Sequence, residues 1–141
     1  MYKNILLPTD GSEHAEAAFD QAIDLAQKYD ANLHILYVAD VRVDSSFNMW
    51  PNMVQELRKV GTEVTQNIAE RAEKSGIKPE KTVELGIPYR EINNYVREND
   101  IDLITMGTRG KTGLDRLLIG SVTEKIIRTS TADVLTVKTS Q

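Results

Sequence analysis

Asp102-Leu-Ile-Thr-Met-Gly107-Thr-Arg-Gly110-Lys-Thr-Gly113-Leu-Asp-Arg-Leu-Leu-Ile-Gly120-Ser121 is the stretch around which this chain is organised, with Ala132-Asp-Val-Leu-Thr-Val-Lys138 closing it. An apolar run (Leu103, Ile104, Met106) stops at Gly107. Gly110 follows three residues later, and Gly120 comes ten residues after that, directly before Ser121. From Ser121, the residues Val122, Ile126 and Ile127 share a helical face, and Ser121 with Glu124 has capping-box spacing. The order is therefore strand, glycine-punctuated loop, helix N-terminus, strand. Glycines let backbone N–H groups curl toward a ligand, and a helix start adds unpaired N–H groups and a positive dipole end. That combination suits a phosphate.

A lone Gly-x-x-Gly is ordinary turn punctuation. The full spacing of Gly, two residues, Gly, nine residues, Gly-Ser is far more specific. It resembles the nucleotide-binding signature of the universal stress protein family, in its ATP-binding branch. The intervening residues are similar too: Met106-Gly107-Thr108-Arg109-Gly110, and Gly113-Leu114 through Leu117-Leu118-Ile119-Gly120-Ser121-Val122. Gly110-Lys111-Thr112 imitates the end of a Walker A loop, but that motif requires glycine at Thr105, inside the apolar run. It also requires a helix immediately after Lys-Thr, where Gly113 stands instead.

Composition narrows the classes. At 141 residues one domain over 1–141 is expected, burying roughly 68% of its unfolded surface. Cysteine is absent, which excludes disulfides, thiolate metal sites and a thiol nucleophile. A net charge of −4 with mixed signs leaves no footprint for nucleic acid and little for an anionic membrane. The chain enters an apolar run after one lysine, too short for a secretory signal, and no run approaches a membrane span. A soluble, cytoplasmic protein is expected.

Outward from the central stretch, strand and helix alternate. Lys3 to Leu7 reads as a buried parallel strand ending at Pro8, with Thr9-Asp10-Gly11-Ser12 as turn and N-cap. A helix from Glu13 places Ala15, Ala18, Phe19, Ala22, Ile23, Leu25 and Ala26 on its apolar face and ends at Tyr29-Asp30-Ala31. Asn32 to Val38 is strand two, and residues 40–50 read as a loop. Trp50 there lines a pocket or partner surface, or lies on the nearest helix. Pro51 opens a helix whose stripe is Met53, Leu57, Val60, Val64, Ile68 and Ala72, ended by Ser75-Gly76. Thr82 to Leu85 is strand three. Gly86-Ile-Pro88 leads into a helix with Ile92 and Val96 inward and Asn99-Asp100 at its end. Leu103 to Met106 is strand four and Val134 to Val137 strand five. This predicts a three-layer α/β/α sheet of parallel strands.

The resemblance spans essentially the whole chain. It implies a Rossmann-like fold of the adenine nucleotide alpha hydrolase-like kind, five parallel strands in the order 3-2-1-4-5. Ligands of open parallel sheets bind outside the strand carboxyl ends, where strand order reverses. The implied order brings together Pro8-Thr9-Asp10, Tyr37-Val38-Ala39 and the Gly107 loop. By resemblance, Asp10 lies near the ribose or phosphates and a Mg²⁺; read from its residues alone it is equally an Asx-turn or helix cap. Thr9 and Val38 would line the adenine pocket, and Met106 and Gly107 would border the nucleoside. Arg109 and Gly110 would approach the phosphates. Gly120, Ser121, Val122 and Thr123 would hold the β- and γ-phosphates of ATP, leaving Ser121 torn between capping and ligand.

Three further expectations follow. His14 and His34 lack metal-ligand spacing and read as one solvated and one core or sheet-end histidine. Lys111 and Arg116 would assist anionic phosphates or simply be solvated. Strand five should be an edge, which family members commonly pair with its twofold copy, so the resemblance implies a homodimer. The family often has proline where Asp133 stands. The expected function is a nucleotide-dependent regulator in stress response, in which ATP orders Thr108 to Ile119, with at most slow hydrolysis since no general base is visible. The rivals are a nucleotide-independent dimeric scaffold and an adenylating enzyme, whose Ser-Gly-Gly-x-Asp-Ser loop is missing from Pro8-Thr9-Asp10-Gly11-Ser12.

Overall fold

β1 (Asn4–Thr9) is the strand on which the others are laid out, through α1 (Glu16–Tyr29), β2 (Asn32–Asp40), α2 (Pro51–Lys74), β3 (Glu80–Gly86), α3 (Pro88–Glu98), β4 (Leu103–Gly107), α4 (Ser121–Thr129) and β5 (Asp133–Val137). The computed structural model describes residues 1–12, 16–41, 51–108 and 120–138. The strands form one sheet in the order β3-β2-β1-β4-β5, and every adjacent pair is parallel.

Side-chain alternation along the central strands sorts the core into two layers. Ile5 and Leu7 of β1, Leu33 and Leu103 pack with Ala18, Phe19, Ala22, Ile23 and Ala26 of α1 and Ala72 of α2. Leu6, Leu36, Val38, Ile104 and Met106 face the other way, onto Ile92, Tyr95 and Val96 of α3 and Ile126 of α4. The three-layer α/β/α architecture follows, with α1 and α2 on one face and α3 and α4 on the other. The strands read as near-continuous apolar runs because both faces are covered.

Helix ends use local chain chemistry. After α1 and α3 the chain passes through Asp30 and Asp100, each at φ 52°. The next amide then reaches back to the helix, Ala31 N–H to Ala26 O and Ile101 N–H to Val96 O. This is the closing geometry of a Schellman motif with aspartate in the left-handed position. Asn99-Asp100 thus ends α3 as the sequence suggests.

Three elements differ from expectation. β1 runs through Pro8 to Thr9 rather than stopping before the proline, and β3 extends to Glu80 and Gly86 on either side of Thr82–Leu85. In α2 the buried residues are Gly61, Thr65, Ala69 and Ala72, whereas Met53 and Val60 of the predicted stripe are 44% and 45% exposed. The cause is close packing. A Cβ on Gly61 would stand 2.7 Å from both Tyr37 Cδ1 and Val83 Cγ1. The helix therefore lies against β2 and β3 through its smallest residues, which leaves Leu57, Val64 and Ile68 half-buried and turns Met53 and Val60 outward.

Candidate functional site

The ladder between β1 and β4 is short: Ile5 pairs with Leu103 and Leu6 with Ile104. The ladder between β1 and β2 continues to Thr9 and Tyr37. Pro8 has no N–H to donate, and because pairing with β2 is unbroken, its missing donor falls on the β4 side. The carboxyl ends of β1 and β4 are thereby released from each other where the sheet order reverses.

On the β1 side a compact turn follows. Asp10 Oδ1 accepts the Ser12 N–H at 2.9 Å, and Thr9 Oγ1 accepts the Gly11 N–H at 3.1 Å. The Asx-turn reading of Asp10 is thus formed. On the β4 side, Thr108 N–H donates to Val137 O at 3.2 Å, carrying the ladder one residue past β4. Thr108 O accepts the Gly120 N–H at 2.6 Å, and Thr123 Oγ1 donates to Gly107 O at 3.0 Å. These bonds pin the amino end of α4 to the carboxyl end of β4.

The expected capping box is not formed. Gly120 is the N-cap (φ −60°, ψ 152°) and supplies no side-chain cap, so Ser121 is already the first helical residue, and exposed. The bond from the Gly120 N–H to Thr108 O sets the helix start one residue earlier than Ser121-x-x-Glu124 suggests. Helix-start N–H groups lack intrahelical partners, so the first turn of α4 keeps its donors without a capping side chain at Gly120. Inward on α4 are Thr123 and Ile126, while Ile127, expected on the buried face, is 46% exposed.

Among the other expected residues, Val38 of β2 and Met106 of β4 both belong to the α3–α4 layer, 8% and 7% exposed, on strands that flank β1. Thr9 faces the α1–α2 layer with Leu7 and Phe19. The Thr9 and Val38 side chains therefore occupy opposite faces of the sheet. Val122 is half-buried. Arg109 and Gly110, with Lys111, Arg116 and His14, lie outside the described residues. Sequence reasoning placed Thr108 at the start of a loop; its two main-chain bonds make it the joint between β4, β5 and α4. Only its position after an apolar run hinted at that.

His34 is the core histidine of the sheet's amino end: 5% exposed, its Nδ1 is 2.8 Å from Tyr95 Oη and 3.5 Å from Glu80 Oε2. Burial pushes its pKa below 6.5, and the Glu80 carboxylate pulls against that shift. No cluster of three or more His, Cys, Asp or Glu groups suited to a metal exists among the described residues. Mg²⁺ in nucleotide sites is held by one or two carboxylates together with substrate phosphates, a mode that a carboxylate in the Asp10 turn fits. No helix among the described residues is long and apolar enough to cross a membrane.

An open parallel sheet with a widened reversal point, a carboxylate turn on one lip and a helix amino end on the other, defines a doubly wound α/β protein of the ligand-binding kind. The sequence profile of the universal stress protein family matches residues 1–138, and the chain belongs to that family. It is 37% identical over 141 residues to the universal stress protein MJ0531 of Methanocaldococcus jannaschii, covering 98% of this chain and 83% of that one. Its fold is similar to that of hypothetical protein MJ0577, with a TM-score of 0.89 at 35% identity, covering 100% of this chain and 99% of the other. A universal stress protein solved in complex with cAMP superposes with a TM-score of 0.77 at 25% identity, over 99% of each chain.

Proposed function

We propose that this chain is a nucleotide-dependent regulator in stress response that binds ATP with Mg²⁺ at the β1–β4 reversal point. The observation that carries the proposal is the amino end of α4, without a side-chain cap among the described residues and tethered through Gly120 to Thr108, across from the Asp10 turn and beside a ladder that ends at Leu6. Unpaired N–H groups and the helix dipole there favour an anion. The cAMP complex of a relative supports adenine nucleotides as the ligand class. In this reading the base sits beside Val38 and Met106, with Pro8 and Thr9 bordering it through the main chain. Gly107, Arg109 and Gly110 lead to the phosphates, which Gly120, Ser121, Val122 and Thr123 hold by N–H groups and hydroxyls. Asp10 holds the Mg²⁺ together with the phosphates, and the ion supplies charge neutralisation there.

The second part of the proposal is a homodimer through the β5 edge, Val134 to Val137. Two observations favour it: β5 carries half-buried apolar residues at the rim of the sheet, and Ile127 of the neighbouring α4 is left exposed. Asp133 turns its carboxylate to its own chain, accepting the Tyr2 Oη–H at 2.9 Å, so the charge that replaces the family's proline has a partner without entering the edge.

Calorimetric titration with ATP, ADP, AMP and cAMP tests the first part, with a saturable isotherm expected and ATP tightened by Mg²⁺. Gly120→Val is expected to abolish ATP binding with the fold retained, since φ −60°, ψ 152° suits valine and the new side chain stands among the phosphate donors. A variant that binds normally overturns the phosphate placement. No heat with any of the four nucleotides leaves the dimeric scaffold.

A further inference from the structure

The outer surface of the α3–α4 layer is basic, although the chain carries a net charge of −4. Arg90 and Arg97 of α3 and Lys125 and Arg128 of α4 are exposed there, against Glu98 and Glu124. Two of these cations are engaged close by: Arg128 Nη2 meets Glu124 Oε1 at 2.9 Å, and Arg97 donates to Asn94. The other two converge on one ring. Lys125 Nζ lies 4.7 Å from the centroid of Tyr89, Arg90 Cζ lies 5.6 Å from it, and Arg90 Nε–H donates to Tyr89 Oη at 3.0 Å.

Helix spacing explains why this pair of charges is not neutralised. Side chains three and four apart are neighbours on a helix. Around Lys125 those positions hold Ser121, Val122, Arg128 and Thr129, and ahead of Arg90 they hold Asn93 and Asn94. Glu91 follows Arg90 but turns its carboxylate to Gly86, within 2.8 Å of where a Cβ there would stand. Neither Arg90 nor Lys125 meets a carboxylate among the described residues. The phenol registers the charge: its pKa is held below 10, first by the Arg90 bond, against some desolvation, with the charges of Arg90 and Lys125 adding to the effect.

Donors remain for an incoming anion. Arg90 spends its Nε–H on Tyr89, and the two Nη groups form the fork that matches a carboxylate. The ring beneath both cations is half-buried against the α3–α4 core, which fixes their place. The patch also stays open in the proposed dimer. Lys125 and Thr129 share the α3 side of α4, where Thr129 Oγ1 accepts from Asn93 Nδ2 at 2.8 Å. Ile127, two residues beyond Lys125, falls on the opposite side of the helix.

From this geometry we propose that the Tyr89–Arg90–Lys125 patch docks an acidic segment of a partner protein, one of its side-chain carboxylates seated against Arg90 and Lys125 over the edge of Tyr89. The surface does not rest on nucleotide binding.

The test is fluorescence anisotropy of a labelled octaglutamate peptide against the full chain without nucleotide, with octaglutamine and octathymidylate as comparison probes. Octaglutamate should bind saturably at low salt and weaken as salt is added, octaglutamine should not bind, and the Arg90 Nε–H resonance should shift on titration. Arg90→Gln and Lys125→Gln should each weaken binding about twofold to fivefold, the scale of one exposed ion pair. Arg90→Glu with Lys125→Glu should abolish it at an unchanged melting temperature. Lys28→Glu with Lys59→Glu alters the net charge equally on the opposite layer and should leave binding nearly intact. ATP titration of the Arg90→Glu, Lys125→Glu variant should match that of the parent. An equal loss in the two double variants overturns the proposal, as do binding of octaglutamine and tighter binding of octathymidylate. Loss of ATP binding together with peptide binding would assign the two cations to the nucleotide and overturn it as well.

Discussion

The two edges of the sheet are built differently. β3 exposes Glu80 and Lys81 and carries Glu84, and the neighbouring helix reaches over it, with Arg58 Nη1 donating to Val83 O at 3.5 Å. Val41 N–H takes Gly86 O at its end. Charges and side-chain cover are the usual means of keeping an edge from pairing with another chain. β5 has one charge, Asp133, already engaged by Tyr2, and then Val134, Leu135, Thr136 and Val137. Leu135 and Val137 lean on the α1 layer and Val134 on the α3–α4 layer. Among the described residues one edge is defended and the other carries no such cover, which is why the proposed dimer belongs to β5 and why association should stop at two copies.

The largest effect should come from the open edge. Ile127 lies half in water, and burying such a side chain contributes roughly 1.5–3 kcal/mol when complete. A twofold interface uses it twice, so Ile127→Lys should raise the dimer dissociation constant by about tenfold to a hundredfold or more. Sedimentation equilibrium reads this, and the monomer should keep its melting temperature because Ile127 is not part of either core layer. An unchanged dimer would place the interface elsewhere.

Next comes the cover of the defended edge. Gly61→Val drives atoms into Tyr37 and Val83, and overpacking of this kind costs roughly 1–3 kcal/mol. Valine, itself a modest helix former, recovers only about 0.3 kcal/mol of glycine's helix penalty, so a net loss of about 1–2 kcal/mol is expected in urea unfolding. The variant should also loosen Arg58 from Val83, visible as faster hydrogen exchange along β3. Substituting Lys81→Val and Glu84→Val together should cost little stability but allow slow, concentration-dependent species larger than a dimer, detected by light scattering.

Much of this contrast was legible in the residues. Apolar runs fixed the strands, since a strand covered on both faces carries no polar alternation. The glycine series from Gly107 to Gly120 pointed to the site proposed above. Three features were not readable. Pro8 looks like a strand end, and only the one-sided ladder explains why β1 tolerates it. Hydrophobicity puts Met53 and Val60 in the α2 core with Ala72, and Ala72 is there, but shape fills the rest of the buried row with Gly61, Thr65 and Ala69; only the closeness of Tyr37 and Val83 reveals this. Ser121-x-x-Glu124 reads as a capping box until the Gly120–Thr108 bond is known. Each depends on a neighbour distant in sequence.

The smallest predicted effect concerns pH, and it also divides the two edges. His34 joins β2 to the start of the defended edge, paired in register with Glu80 and bonded to Tyr95 of α3; Asn4 Oδ1 lies 3.4 Å from its Nε2. Its folded pKa lies below 6.5, chiefly through desolvation. The unfolded chain therefore takes up the proton first, and stability rises with pH in this window. The contribution is full above 6.5 and is lost as pH falls through that value toward the folded pKa. Urea midpoints at pH 7.5 and about 5.5 should differ more in the parent than in His34→Asn, and exchange protection should fall along β2 and β3 rather than β5. Glu80 decides the size of the effect, because its carboxylate favours the charged imidazole. Glu80→Gln removes that opposition, lowers the folded pKa further and should steepen the acid loss. A shallower loss in Glu80→Gln would show that the Glu80 carboxylate does not favour the charged imidazole.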